Sequence, residues 1–146
     1  MVDIGSKVFD TVYNAVYAAF PEARIDSGYV ESTAKFPAVM VQEINNVPVR
    51  GTNTDDNSEN YTRLTYEVDI HSDKMGEAMS EAKAIANVAD NAMKSLKFYR
   101  TATRMLPNQD RTIYRMYMRY EVIVREIRDG NGVLTGYQFY RREGLA

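Results

Sequence analysis

The sequence contains no cysteine, only one histidine, and no long run of apolar residues. The lack of cysteine excludes disulfides, thiolate nucleophiles, zinc–thiolate sites and iron–sulfur clusters together. No stretch approaches the roughly 18 apolar residues of a membrane span, and residues 1–6 lack the basic and apolar segments of a signal peptide. The sequence therefore predicts an intracellular, soluble protein with no membrane partner.

The residues that are present indicate a folded chain of ordinary composition. Of its 146 residues, 45% are apolar and 26% are charged, a balance typical of globular proteins. This length suits one hydrophobic core and is too short for two ordinary ones. We therefore expect residues 1–146 to form a single domain.

The net charge of −2 conceals an uneven distribution along the chain. Residues 1–96 hold 8 Lys and Arg against 15 Asp and Glu, a net charge of −7, whereas residues 97–146 hold 10 against 5, a net charge of +5. Acidic and basic strands that neighbour one another in one sheet would explain this difference. Contact between oppositely charged surfaces of two copies is the alternative.

The first half of the chain alternates between periodic and polar segments. Apolar residues at helical spacing predict an amphipathic helix over residues 6–20, which Pro21 ends. Residues 36–43 are prone to form a strand, with a proline confined to its start. Residues 45–60 are polar and lack periodicity, which predicts a long mobile loop that contacts a partner or faces a pore. Residues 61–71 then predict a second strand.

This second strand has two clearly different faces. Its sequence alternates strictly between apolar and polar side chains, as in a strand that is buried on one side only. The apolar face carries Leu64, Tyr66, Val68 and Ile70, and the face expected to be wet carries Arg63, Thr65, Glu67, Asp69 and His71.

A second helix follows, for which Ser72 and Asp73 are candidate N-caps. Between residues 75 and 96 the apolar side chains recur at helical spacing, and many of them are alanines. A stripe of small residues suits close packing of a helix onto a sheet.

The last third of the chain reads as strands separated by turns. Residues 98–106 and 112–126 are prone to form strands, and the turn residues 107–110 between them predict a hairpin. A second turn at residues 129–132 returns the chain as a final strand over residues 133–140. Together with the earlier elements, this order predicts an α+β fold: a largely antiparallel sheet of about five strands with two helices on one face.

The sequence offers little for catalysis. His71 and Asp69 share one strand face, which is an arrangement that can orient an imidazole as a general base. No activated nucleophile and no second histidine accompany them, so we interpret His71 as an exposed residue near a strand end. We expect no catalytic residue, no metal ligand and no cofactor-binding residue, and we predict that the protein is not an enzyme.

Two further patterns resemble binding motifs without matching them. Asp55, Asp56 and Glu59 form an acidic cluster in the predicted loop, but they lack the spacing, central glycine and closing glutamate of a calcium loop. Gly130 and Gly132 separate two strands, whereas phosphate-binding glycines open a helix. A solvated loop and a tight turn explain these residues.

A basic face on the long strand is the clearest candidate for an interaction surface. It carries Arg115, Tyr117, Arg119 and Arg125, and arginines interleaved with an aromatic residue are typical of nucleic-acid platforms. A sequence pI of about 5.5 argues against direct, sequence-specific binding of nucleic acid. Pairing with Glu67 and Asp69 across the sheet is one explanation, and contact with an acidic surface of another copy is the other.

Taken in order, these elements resemble the tail terminator proteins of long-tailed bacteriophages. The resemblance rests on the helix that ends at Pro21, the strand entry at residues 36–41, the long polar loop, the strand 61–70 and the alanine-rich helix 75–96. The strand 112–126 completes it. It covers nearly the whole chain, although the family has no sharp motif and residues 128–146 match none of its features.

The resemblance implies a structural protein of the virion, which is assembled in the host cytoplasm. Tail terminators form a six-membered ring on the tail tube, stop its polymerisation and join the tail to the head. The partners implied are other copies in a hexamer, the tail tube protein and the head–tail connector protein. A head-to-tail ring joins two different patches, which fits the uneven charge of this chain.

On this interpretation the residues divide into two predicted surfaces. We expect Arg115, Tyr117, Arg119 and Arg125, with the C-terminal hairpin, to contact the next subunit, and Arg50, Asp55, Asp56 and Glu59 in the loop to contact a partner. The alternatives are a head–tail connector (neck) protein, a minor capsid protein, a module that binds a small molecule or nucleic acid, and an unfamiliar enzyme.

Overall fold

The computed structural model of the chain describes residues 1–28, 36–49, 61–106 and 112–141. Its elements, in chain order, are α1 Gly5–Ala19, β1 Arg24–Ser27, β2 Ala38–Pro48, β3 Thr62–Ser72, α2 Ala78–Ser95, β4 Tyr99–Leu106, β5 Tyr114–Arg128 and β6 Leu134–Tyr140. The predicted α+β class is confirmed. In this part of the chain, neither helix is both long and apolar enough to cross a membrane.

The strands form one sheet, in which β1, β2, β3, β5 and β4 are neighbours in that order. The described pairings are antiparallel except that of β1 with β2. One edge of β5 pairs with β3, and its other edge pairs first with β4 over residues 115–121 and then with β6 over residues 123–128. The sheet is therefore largely antiparallel, as predicted, and β1 and β6 lie on opposite sides of β3 and β5.

Both helices cover the same face of the sheet, as predicted. Helix α1 buries Val8, Val12 and Val16, which recur every four residues on one of its faces. Helix α2 buries an alanine-rich face and packs on β3 and β5 as well as on α1. The sheet contributes the alternate residues Leu64, Tyr66, Val68 and Ile70 from β3 and Met118, Tyr120, Val122 and Val124 from β5.

Strand β1 lies between the first predicted helix and the strand predicted over residues 36–43, where the sequence analysis places no element. It has only four residues, none of them fully buried, and it pairs in parallel with residues 38–41 of β2. A strand this short shows too few alternations to be recognised from its pattern. Among the described residues the sheet therefore has six strands, one more than expected.

Strand β2 is longer than predicted, so the prediction of a loop from residue 45 is wrong at its start. After a bulge between Glu43 and Asn45, residues 45–48 continue the ladder opposite β3. Pro48 stands at the end of the strand, where a proline is tolerated. Residues 50–60, the rest of the predicted loop, lie outside the described residues.

Helix α2 begins later than predicted, and the proposed caps are wrong. Ser72 is the last residue of β3, and Met75 is 96% exposed before the helix starts. The Ser72 hydroxyl nevertheless touches the helix, because it donates a hydrogen bond to Glu81 Oε1 at 2.7 Å. The side chain therefore ties the end of the strand to the first turn of α2 instead of capping the helix directly.

The sheet face that points away from the helices is less exposed than its polar sequence predicts. Thr65 and Asp69 are each only 6% exposed, and Met40 on the neighbouring strand is 4% exposed. Long side chains from adjacent strands lie over one another on this face, which we call the outer face. The expectation that all polar side chains on this face of β3 are exposed to solvent is therefore wrong.

Candidate interaction surface

The four predicted interface residues lie on one face of one strand. Arg115, Tyr117, Arg119 and Arg125 occupy alternate positions of β5 and point to the outer face. The register with β3 places Arg115 opposite His71, Tyr117 opposite Asp69, and Arg119 opposite Glu67. The sequence-based grouping of these residues is correct, but their surroundings differ from one residue to the next.

Arg115 is held within its own chain. Its Nε donates to Asp69 Oδ1 at 3.2 Å and its Nη2 donates to Asp69 Oδ2 at 3.3 Å, so the two planar groups meet in a bidentate pair. Asp69 is buried, which protects this pair from solvent screening. Arg115 therefore serves the fold of the sheet, and little of its charge is left for another subunit.

Tyr117 and Arg119 share a single carboxylate oxygen. The Tyr117 hydroxyl donates to Glu67 Oε1 at 2.8 Å, and Arg119 Nη2 donates to the same oxygen at 3.0 Å. Burial and the hydrogen bond to Glu67 raise the pKa of Tyr117, so the phenol stays protonated and continues to donate. The Arg119 side chain is 45% exposed and presents part of its charge to solvent.

The ring of Tyr117 lies close to two guanidinium groups. The centres of the Arg104 and Arg119 guanidinium groups are 5.8 Å and 5.9 Å from its centroid. At these distances the ring quadrupole attracts both cations, which offsets part of their mutual repulsion. Because Tyr117 is only 7% exposed, it organises the arginines and presents little surface of its own.

Arg125 is exposed and is bound less tightly than Arg115 and Arg119. Its guanidinium lies 5.7 Å from the ring centroid of Tyr61, and no carboxylate among the described residues forms an ion pair with it. The alternative that these arginines pair with Glu67 and Asp69 is thus confirmed for Arg115 and Arg119 but not for Arg125. The role of the four residues in a subunit interface stays a prediction.

Only the start of the predicted partner-binding loop lies within the described residues. Arg50, Asp55, Asp56 and Glu59 lie outside the described residues.

His71 is half-buried, not exposed as predicted, and its Nε2 is buried without a hydrogen-bond partner among the described residues. Burial and the charge of Arg115 lower its pKa, against an opposing effect of Asp69. Both oxygens of Asp69 accept hydrogen bonds from Arg115, so the carboxylate does not orient the imidazole. Within the described ranges, no group of three or more His, Asp and Glu residues could hold a metal ion.

A row of aromatic side chains on α1 escaped the sequence analysis. Phe9, Tyr13 and Tyr17 follow one another at intervals of four, with ring centroids 5.9 Å and 5.8 Å apart. The rings of Tyr13 and Tyr17 are stacked at an angle of 6° between their planes. We call these three residues the aromatic ladder. The four-residue interval is visible in the sequence, but the helix was predicted from the apolar residues of its buried face, which do not include the two tyrosines.

A cavity of about 630 Å³ adjoins the ladder at Phe9. It lies between the N-terminal half of α1 and the edge of the sheet formed by β1 and β2, and its lining includes Asp3, Asp10 and Glu43. The Tyr66 hydroxyl donates to Glu43 Oε1 at 3.4 Å, and burial raises the pKa of Glu43. The wall of the cavity is therefore acidic.

One comparison with known proteins identifies a family. A family model described as tail completion protein gp17 matches residues 11–125, which is most of the chain. The match begins within α1 and ends within β5, so residues 126–146 lie beyond it. A search of curated proteins found no match.

Proposed function

The chain belongs to the tail completion protein gp17 family, and we propose from this that it is a tail terminator that caps the tail tube as a ring and joins it to the head. Membership makes the chain a structural component of the phage tail and of the virion. The family match is the observation that carries the proposal, because no single side chain in the fold specifies such a role.

The surfaces of the chain support assembly by contacts. A ring requires two different patches on each copy, one of which meets the other on the neighbouring copy. The exposed charges of Arg119 and Arg125 lie in the part of the sequence with a net charge of +5, and the part with a net charge of −7 supplies the acidic counterpart. We propose a homo-oligomer, a hexamer by its likeness to tail terminators.

The same proposal assigns the partners and the place of assembly. One face of the ring contacts the tail tube protein, and the other contacts the head–tail connector protein. The particle is completed in the host cytoplasm. Because the contacts are formed between folded surfaces, the role requires neither a cofactor nor a catalytic group.

A phage that lacks this gene tests the proposed role directly. We expect electron micrographs to show tail tubes of irregular length that are not attached to heads, and we expect the wild-type gene supplied in trans to restore complete particles. Tubes of regular length that only fail to attach would favour a neck protein over a terminator. Complete, infectious particles in the absence of the gene would contradict both roles.

Charge reversal on the outer face tests the proposed subunit contact. An exposed ion pair within one chain is worth about 0.2–1 kcal/mol, whereas like charges brought together at an interface cost several kcal/mol. We therefore expect Arg125→Glu and Arg119→Glu to remain folded but to sediment as monomers under conditions where the wild type assembles, with or without tube protein. The matched control is Lys83→Glu on the exposed side of α2. Unchanged assembly in both arginine variants would refute the contact.

A further inference from the structure

The aromatic ladder on α1 is a contiguous apolar surface that the fold of this chain leaves uncovered. Tyr13 is 39% exposed and Tyr17 is 53% exposed, although both are stacked with their neighbours. Single exposed apolar residues are ordinary, but a continuous patch marks an interaction site. Tyrosine is also among the residues that contribute most to the affinity of protein interfaces.

The surroundings of the ladder are acidic. Asp10 is exposed on α1 and lines the adjoining cavity together with Asp3 and Glu43. The nearby cation Lys7 is directed elsewhere, because its Nζ lies 4.9 Å from the ring centroid of Phe139 on β6. An apolar partner that carries arginines would fit this surface, since guanidinium groups bind both carboxylates and aromatic faces.

The tip of the hairpin formed by β5 and β6 has the matching composition. Ile127, Val133 and Leu134 are 43%, 58% and 39% exposed, and Arg125 and Arg128 are exposed beside them. Strand β5 pairs with β3 only as far as Val124, so the tip extends beyond the described part of β3. We call Ile127, Val133, Leu134, Arg125 and Arg128 the hairpin tip.

The hairpin tip is ordered before any partner binds. Asp129 Oδ1 accepts hydrogen bonds from the backbone N–H groups of Asn131 at 2.8 Å and Val133 at 3.0 Å. Arg128 Nη1 donates to the carbonyl oxygen of Gly132 at 2.9 Å, which closes the turn from the other side. A preformed turn loses less conformational entropy on binding than a flexible loop does.

The fold turns the cavity end of the ladder away from strand β6 of the same chain. Phe9 lines the cavity beside β1 and β2, whereas Lys7 contacts β6 at the other side of the sheet. Two residues of separation in a helix correspond to about 200° of rotation, so Phe9, the ladder residue that lines the cavity, faces away from the β6 strand of its own chain. This orientation suits a contact that repeats from copy to copy.

We propose that the aromatic ladder and its acidic border receive the hairpin tip of a second copy of this chain. The proposal rests on the self-assembly proposed above and adds the acceptor surface to it. The exposed aliphatic side chains of the tip would cover the rings of the ladder. Arg125 would meet the carboxylates around the cavity, whereas Arg128 is already paired with Glu126 of its own chain. A head-to-tail contact of this kind leaves a free ladder at one end of an open oligomer and a free tip at the other end, and a closed ring leaves neither.

Two complementary variants test the proposal. The acceptor variant is Tyr13→Ser with Tyr17→Ser, and the donor variant is Ile127→Ser with Leu134→Ser; circular dichroism and the thermal midpoint verify that both are folded. Because each variant lacks one half of the contact, we expect self-association to fall by at least about tenfold in each. Met105→Ser on β4 is the control, since Met105 is 61% exposed and belongs to neither surface.

Mixing the two variants gives the decisive result. The acceptor variant retains an intact tip and the donor variant retains an intact ladder, so an equimolar mixture should form dimers and stop there. A mixture that contains only monomers would overturn the proposal, and so would a single variant that assembles as well as wild type. An acceptor variant that still self-associates but no longer binds tube protein would also overturn it and assign the ladder to the tube. Wild-type protein that stays monomeric with and without tube protein would count against the proposed function itself.

Discussion

Asp90 shows how one carboxylate on α2 connects three elements. It is 6% exposed and accepts a hydrogen bond from the buried Tyr120 hydroxyl at 2.6 Å. It also forms ion pairs with Lys94 at 2.8 Å and with Arg100 at 3.2 Å. These partners come from β5, from α2 itself and from β4, so the network fixes the position of the helix on the sheet.

We expect Asp90→Asn to lower the free energy of unfolding by about 1–3 kcal/mol at pH 7, because it weakens charge-assisted hydrogen bonds in a buried site. The side chains of Lys94 and Arg100 are 49% and 41% exposed and can turn towards water, which limits the loss. Urea denaturation measures this loss in the free energy of unfolding. The control is Asp73→Asn at an exposed position, and an equal effect in both variants would contradict the role of the network.

The same network predicts a pH dependence. Burial alone would raise the pKa of Asp90, but hydrogen bonds from Lys94 and Tyr120 and the charge of Arg100 outweigh it and lower the pKa below 3.8. Stability from a lowered carboxyl pKa is complete above the unfolded value and is lost as the pH falls through the folded value. The difference between wild type and Asp90→Asn should therefore shrink below about pH 4. A difference that stays constant down to about pH 2.5 would exclude this contribution.

We expect His71→Ala to leave tail completion intact, because no described group near the imidazole completes a catalytic site. Since the pKa of His71 is lowered from 6.5, its neutral form stabilises the fold above that value, and this stability is lost as the pH falls towards the lower folded pKa. Below pH 6.5 the thermal midpoint of the variant should therefore change less with pH than the thermal midpoint of wild type. A folded His71→Ala protein that cannot complete tails would show that the histidine has a functional role.

At the scale of elements, the alanine-rich face of α2 sets how closely the helix approaches the sheet. We expect Ala89→Leu to cost about 1–3 kcal/mol of stability, because Ala89 is 0% exposed and a larger side chain cannot fit without displacing its neighbours. Ala84→Leu is the matched control at an exposed position of the same helix, and it should change stability by less than about 0.5 kcal/mol. Thermal or urea denaturation compares the two variants, and similar losses would contradict close packing at Ala89.

Long, regular patterns predicted the elements well, and short or irregular ones did not. Helix α1 and strands β3 and β5 follow their sequence periods because each buries one continuous face. Strand β1 was not predicted because four residues, three half-buried and one exposed, set no period, and a bulge interrupts the pattern of β2 after Glu43. The start of α2 was misplaced because Ser72 bonds to Glu81 from the end of a strand, a contact that only the fold brings about.

The candidate site was predictable in composition but not in geometry. Alternation placed Arg115, Tyr117 and Arg119 on one face of β5, which the structure confirms. The sequence could not decide which charges are paired within the chain, because that depends on the register between β3 and β5. The aromatic ladder needed the structure as well, since only packing shows which flank of α1 stays uncovered.

For the whole molecule, the opposite charges of its two parts predict an assembly that depends on salt. Raising sodium chloride from about 0.05 M to about 0.5 M shortens the Debye length from roughly 14 Å to roughly 4 Å, so attraction between exposed charges on two copies is screened. The apolar core is not weakened by this change, so the thermal midpoint of the monomer should move little. Sedimentation at several salt concentrations should therefore show weaker assembly of folded protein.

The slope of this salt dependence identifies the residues that cause it. Arg125 has no carboxylate partner among the described residues, so we expect Arg125→Gln to flatten the dependence of assembly on salt. Arg115 is already paired with the buried Asp69, and its charge should contribute far less to association. If assembly instead strengthens with salt in the wild type, apolar contacts dominate the interface, and the uneven charge of the chain serves only the pairing of strands within each copy.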